Sequence, residues 1–187
     1  PAKKPEKAPV TLESAWALAD KKQYEEALDI CDVLIAKKGM NSLDALKLKI
    51  RIYERAKWWP EALTHYERLL KTATSTAARN DIRAETARIN ALELNDPAGL
   101  DDLRKLSAQR LDKPLLSRVR YWLAGALMKQ GKIEEAKAAF TRFIAEFPDV
   151  PEIELAKAYL AQCEAVLQDQ AERAQKHREA LAARQKA

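Results

Sequence analysis

Lys22-Gln23-Tyr24-Glu25-Glu26-Ala27-Leu28 recurs thirty-five residues later as Lys57-Trp58-Trp59-Pro60-Glu61-Ala62-Leu63, and again as Gly131-Lys132-Ile133-Glu134-Glu135-Ala136-Lys137. Each copy ends one helix and begins the next. A period of thirty-odd residues made of paired helices marks an array in which each pair buries its apolar face only by stacking on its neighbours. The expected fold is therefore an all-α solenoid of antiparallel helix pairs.

Composition agrees. With 187 residues, 47% of them apolar and 33% charged, the chain is long enough for one domain with a buried core. Only four Gly and eight Pro interrupt a composition dominated by residues that lose little rotamer freedom in a helix. The formal charge of +5 is mostly in the tails: residues 1–9 and residues 168–187 contribute +2 each, leaving +1 for the body. A duplex-binding protein concentrates its cations on one face, so no nucleic-acid partner is expected. Cys31 and Cys163 occupy apolar helical positions in the first and last units, as small core hydrophobes and not as a disulfide or metal set.

No apolar run approaches the roughly 18 residues of a transmembrane helix, and there is no signal-peptide core. Residues 1–10 open with Pro1-Ala2-Lys3-Lys4-Pro5-Glu6-Lys7-Ala8-Pro9 and read as a disordered linker. The absence of an initiator Met suits a processed or excised segment of a longer chain, which leaves an upstream signal or anchor open.

Helix 1A is expected from near Thr11, capped by Thr11 with Ser14, and helix 1B from Tyr24 to about Lys38, with Gly39 as its stop. Asn41 or Ser42 would cap helix 2A, which runs to about Lys57 with Leu43, Leu46, Ile50 and Tyr53 inward. Pro60 falls in the first turn of helix 2B, where its missing N–H costs nothing. Helix 3A, about Ala77 to Leu94, is longer and more polar, and Asn95-Asp96-Pro97-Ala98-Gly99 reads as a turn and helix start. The spacing stretches there to about forty-one residues. Unit four restores the period, with Ala124 and Leu127 on helix 4A and Ala136, Phe140 and Phe143 on helix 4B. A final helix starts near Pro151. Its apolar residues follow coiled-coil spacing as far as Leu167, after which Gln170, His177 and Arg184 weaken the seam. Residues 11–167 thus form the repeat domain and residues 168–187 a charged helical extension.

At these residues the chain resembles the tetratricopeptide repeat (TPR) family. Unit four carries the pattern best, through Ala124, Leu127, Gly131, Ile133, Ala136, Phe140 and Pro148. Units one and two match in part, through Ala15, Leu18, Tyr24 and Ala27, and through Tyr53, Trp59, Ala62 and Tyr66. Cys31 and Ile50 depart from it. The stretch from Phe140 to Cys163 is similar to bacterial cell-envelope TPR proteins of the outer-membrane-assembly and Tol–Pal-associated type. The resemblance implies a right-handed superhelix acting as a scaffold or adaptor for protein binding, with periplasm or envelope favoured over cytoplasm.

Catalysis would need a nucleophile with its base, paired carboxylates in a cleft or a phosphate-cradling Gly loop. His65 and His177 are far apart in sequence and no Gly-rich loop occurs, so no catalytic residues, metal ligands or cofactors are expected. In the resembling family the A helices line a concave groove. Carried onto this sequence, that surface takes Trp16, Lys47, Arg51, Glu54 and Arg55, then Arg88 and Asn95, then Arg118, Tyr121 and Trp122. Fixed cations in a concave wall attract carboxylates, and flat aromatic faces hold apolar side chains at low entropic cost. The expected partner is an acidic peptide or a C-terminal carboxylate, although the Asn residues of the family's carboxylate clamp are missing. The opposing reading has the arginines paired with nearby acids and the tryptophans packed between helices. Trp58, at a turn where a small or polar residue is commoner, is a candidate exposed contact. Two alternatives are self-assembly through the solenoid ends or the C-terminal helix, and RNA binding, which rests only on scattered arginines.

Overall fold

The two lysines and the glycine that begin the repeated motif all adopt left-handed backbone: φ is 62° at Lys22, 60° at Lys57 and 74° at Gly131. In each case the next residue's N–H reaches five residues back, from Gln23 to Leu18 (3.0 Å), from Trp58 to Tyr53 (2.8 Å) and from Lys132 to Leu127 (3.0 Å). The left-handed residue itself bonds three back, to Ala19, Glu54 and Met128. This is the Schellman closure of a helix, which satisfies its last carbonyls and turns the chain sharply. Five residues beyond each turn lie Ala27, Ala62 and Ala136, all with no exposed surface. A methyl group is all that the crossing of the two helices accommodates there.

The computed structural model describes residues 9–39 and 42–186, with side chains to residue 184. Most of the linker expected over residues 1–10 lies outside the described residues, as does the expected cap Asn41. Among the described residues the structure is all helical, and it divides into two compact units with the boundary after Ile82.

The first unit holds α1 (Leu12–Asp20), α2 (Tyr24–Ala36), α3 (Ser42–Ala56), α4 (Trp59–Thr72) and the start of α5 (Thr76–Arg88). Thr11 caps α1 by accepting the Ser14 N–H at 3.2 Å, and Pro60 sits in the first turn of α4. Two expectations need correction. The left-handed residue after α2 is Lys38, with φ of 48°, and not Gly39; α2 ends at Ala36. Leu43, expected inward, is 45% exposed, while Ala45, Leu48 and Ile52 are buried beside Leu46 and Ile50. Helix α3 packs against α1, α2 and α4, so its buried arc is wider than the single stripe that periodicity reveals.

The second unit holds the end of α5, a π-helical turn (Ile89–Glu93), α6 (Pro97–Ser107), α7 (Lys113–Lys129), α8 (Ile133–Glu146) and α9 (Ile153–Lys186). Its core runs from Leu100, Leu103 and Val119 to Phe140, Phe143 and Cys163. Asp96 caps α6 through the Ala98 N–H (2.9 Å) and Asp112 caps α7 through the Leu115 N–H (2.8 Å). The expected uniform helix 3A ends instead in the π turn, where Leu94 N–H reaches Ile89 O at 3.0 Å and the Lys129 ammonium donates to the Leu92 carbonyl. Gly99 is more than a turn residue. A Cβ there would lie 2.4 Å from Ala91 N and 2.8 Å from the Asn90 carbonyl carbon, so α6 starts hard against the π turn. The 13 residues of α5 and the five of the π turn make this first helix longer than its counterparts and stretch the repeat.

Two stability predictions follow from the backbone. Left-handed backbone costs an L-residue about 1 kcal/mol that glycine avoids, so Lys57→Gly raises the urea midpoint and Gly131→Ala lowers it. Equal midpoints would mean that the turns do not carry this strain. Gly99→Ala costs about 2 to 3 kcal/mol by overpacking against backbone. Gly125→Ala is its control: the added Cβ meets only Leu92 Cδ2 at 3.6 Å, and the helix interior gains about 1 kcal/mol of propensity.

Candidate functional site

Residues four apart on a helix share a face, and α3 places Lys47, Arg51 and Arg55 in one such row. Opposite them α1 presents Trp16. The Arg51 and Arg55 guanidinium carbons lie 5.7 and 5.4 Å from the Trp16 ring centroid, within the range where a ring quadrupole attracts a cation. Arg55 is also bound to Asp20, Nη1 to Oδ1 at 2.6 Å, and Lys47 stands 3.8 Å from Asp44. Arg51 has no acidic partner among the described residues. Glu54 accepts a hydrogen bond from the Tyr66 hydroxyl at 3.2 Å.

The second unit repeats the side-chain types under different electrostatics. Arg118 and Trp122 are neighbours on α7, and the Arg88 and Arg118 guanidinium carbons lie 5.6 and 5.4 Å from the Trp122 centroid. Here the carboxylate of Glu85 bridges both cations, Oε2 to Arg88 Nε at 2.8 Å and Oε1 to Arg118 Nη1 at 3.0 Å. The π turn then brings Glu93, five residues on, to 3.9 Å from Arg88 Nη1. Arg88 and Glu85 are 17% and 22% exposed as side chains, so this network is half-buried and internally compensated.

The other expected residues are placed differently. The Tyr121 ring lies against Phe140 and Phe143, with centroids at 6.4 and 5.6 Å, and burial, with smaller effects of Tyr159 and Glu152, pushes its phenol up. Asn95 is a left-handed turn residue, with φ of 55°. Trp58 is 38% exposed and rests edge-on against Tyr24, with a tilted contact to Tyr53.

Periodicity missed Lys49. It is 6% exposed, paired with Asp32 and 5.7 Å above the Tyr53 ring; the available signal was a lysine inside the apolar run between Leu46 and Tyr53. The Cys31 thiol is pushed up to about 11, chiefly by burial, and burial raises Cys163 as well. Both are buried and free. His65 donates from Nδ1 to the Glu61 carbonyl at 2.9 Å, its ring lies tilted against Tyr53, and its pKa is lowered mainly by burial. Among the described residues no group of three His, Cys, Asp or Glu is placed to share a metal ion, and no helix is long and apolar enough to cross a membrane.

Residues 117–160, from within α7 to within α9, match the tetratricopeptide repeat family model. No curated protein matches the chain. Among solved structures it is similar to nearly identical TPR-like repeats described as those of a Podosopora anserina kinesin light chain. A single-substitution form of those repeats shares 20% identity and a TM-score of 0.64, covering 94% of this chain and 95% of the other. A second structure of the repeats shares 19% identity and a TM-score of 0.63, covering 90% of each chain. The fold is thus that of the TPR-like helical repeats, and the family match with that fold supports a protein-interaction scaffold in general terms.

Proposed function

We propose that the protein is a non-enzymatic scaffold that receives an acidic segment or C-terminal carboxylate of a partner on the α1–α3 face, through Lys47, Arg51 and Arg55 beside Trp16. The observation that carries this reading is Arg51, held over an aromatic ring yet unmatched by any acid among the described residues. A guanidinium already oriented by a ring loses little further freedom on meeting a carboxylate, and its planar fork binds both oxygens. The Trp16 face offers apolar contact alongside. The Arg88, Arg118 and Trp122 group of the second unit is a weaker candidate by itself, because an incoming carboxylate there competes with Glu85. The pattern from Phe140 to Cys163 is what favours an envelope setting for the partner.

Arg51→Glu is expected to weaken capture of the natural partner from cell extract by at least about tenfold, roughly 1.4 kcal/mol, with helicity unchanged by circular dichroism. Arg118→Glu places a second acid against Glu85 and is expected to cost about 1 to 2 kcal/mol of stability while the folded fraction still binds. Full binding by Arg51→Glu would move the site off this face.

Self-assembly is the second reading, and it draws on the length of α9. Beyond Leu167 its side chains are exposed to residue 184. Light scattering across concentration tests it: a rising mass supports a coiled-coil dimer, and a constant monomer mass removes it.

A further inference from the structure

Helix α7 turns Arg118 and Trp122 to one side and Arg120 and Leu123 to another. On that other side lies an open cavity of about 560 Å³ between α7, α8 and the end of α6. We propose that it is a second peptide-docking site, one that takes a carboxylate carried beside an aliphatic side chain in a partner segment.

Charge accounting carries the argument. Arg120 and Arg142 both line the cavity, and both are bound to the single carboxylate of Glu146: Arg142 Nε to Oε1 at 2.7 Å, and Arg120 Nη1 to Oε2. Two guanidiniums on one carboxylate leave one positive charge unmatched. Arg120 is 19% exposed and is held 5.8 Å above the Phe147 ring, so the cation is fixed in place before any ligand arrives. Burial, and then the neighbouring Arg142, push the Arg120 guanidinium below its ordinary value. The rest of the lining from these two helices is apolar, with Leu123 on α7 and the small Ala138 and Ala139 on α8. Those alanines leave the depth that larger residues would fill. One excess cation beside an aliphatic lining, in a volume of small-ligand size, matches one carboxylate next to one aliphatic side chain. A highly charged polyanion fits it poorly, because a single unmatched cation cannot offset several charges.

The test is a titration of the ¹⁵N-labelled full chain with the peptide acetyl-Leu-Glu-Leu-amide, following the amide shifts of Leu123, Ala138 and Ala139. Saturable shifts are expected there, weakened at least about tenfold for acetyl-Leu-Gln-Leu-amide and for the Arg142→Gln protein. Arg142 is 68% exposed as a side chain, so its replacement leaves the fold intact, as an unchanged thermal midpoint would show. Ala139→Glu, which fills and charges the apolar wall, is expected to abolish the shifts independently. Equal affinity for the Glu and Gln peptides overturns the proposal, as do equal shifts with sodium acetate alone, which would mark a general anion site. Shifts confined to α1 and α3 would overturn it while leaving the Arg51 face intact.

Discussion

Everything in this fold depends on reversing the chain between the two helices of a pair in a fixed number of residues. The left-handed turn does this at Lys22, Lys57 and Gly131, and the fully buried Ala27, Ala62 and Ala136 follow at a constant offset of five. Turn and alanine act together. The turn aims the second helix, and the methyl group lets it come close enough to bury the apolar stripes on both. Only one of the three turns uses glycine; the lysines at the other two accept about 1 kcal/mol of backbone strain each. That strain persists because the surrounding closure, two backbone hydrogen bonds per turn, over-determines the geometry.

The same set of three side chains, one tryptophan and two arginines, occurs on the A helices of both units and means different things. Among the described residues, the arginines of the first unit have one carboxylate between them, from exposed Asp20. In the second they share Glu85, and the π turn adds Glu93. A cation near a tryptophan is therefore not by itself a recognition element. What separates a docking surface from a structural network is whether local acids have already neutralised it, and how deeply the pair is withdrawn from water.

This difference also explains what could be read from the sequence. The turns, the cap at Thr11, the helix start at Asp96 and the alanine landmarks are local, and each left a signal within a few residues. The π turn shifts hydrogen bonding by one residue and changes no composition, so it left none, and with it went the meaning of Gly99, whose neighbours are Asn90 and Ala91 across the turn. Leu43 was misplaced because one apolar stripe cannot show that α3 has neighbours on several sides. Lys47, Arg51 and Arg55 were assigned to one surface by the family resemblance, and the four-residue helical spacing accounts for their falling in a row. That Arg118 meets Glu85, thirty-three residues away, needed the packing of α7 on α5.

The distribution of charge narrows what such a surface can do. Half of the excess carried outside the body lies in residues 168–187, and the side chains of residues 168–184 on α9 face water. That helix persists without a partner because its first turns are already nucleated by packing, with Ala156 and Cys163 buried against the core. Continuing a helix costs far less than starting one. Pairs four residues apart, such as Asp169 with Arg173 at 2.9 Å, then hold its polar side chains along its own length. Charges so placed are screened within about 8 to 10 Å at ordinary salt. They raise solubility and act on little beyond what touches them. On the proposed reading, an acidic partner would have to be met by contact-range cations such as Arg51, which is held over a ring and lacks a carboxylate among the described residues.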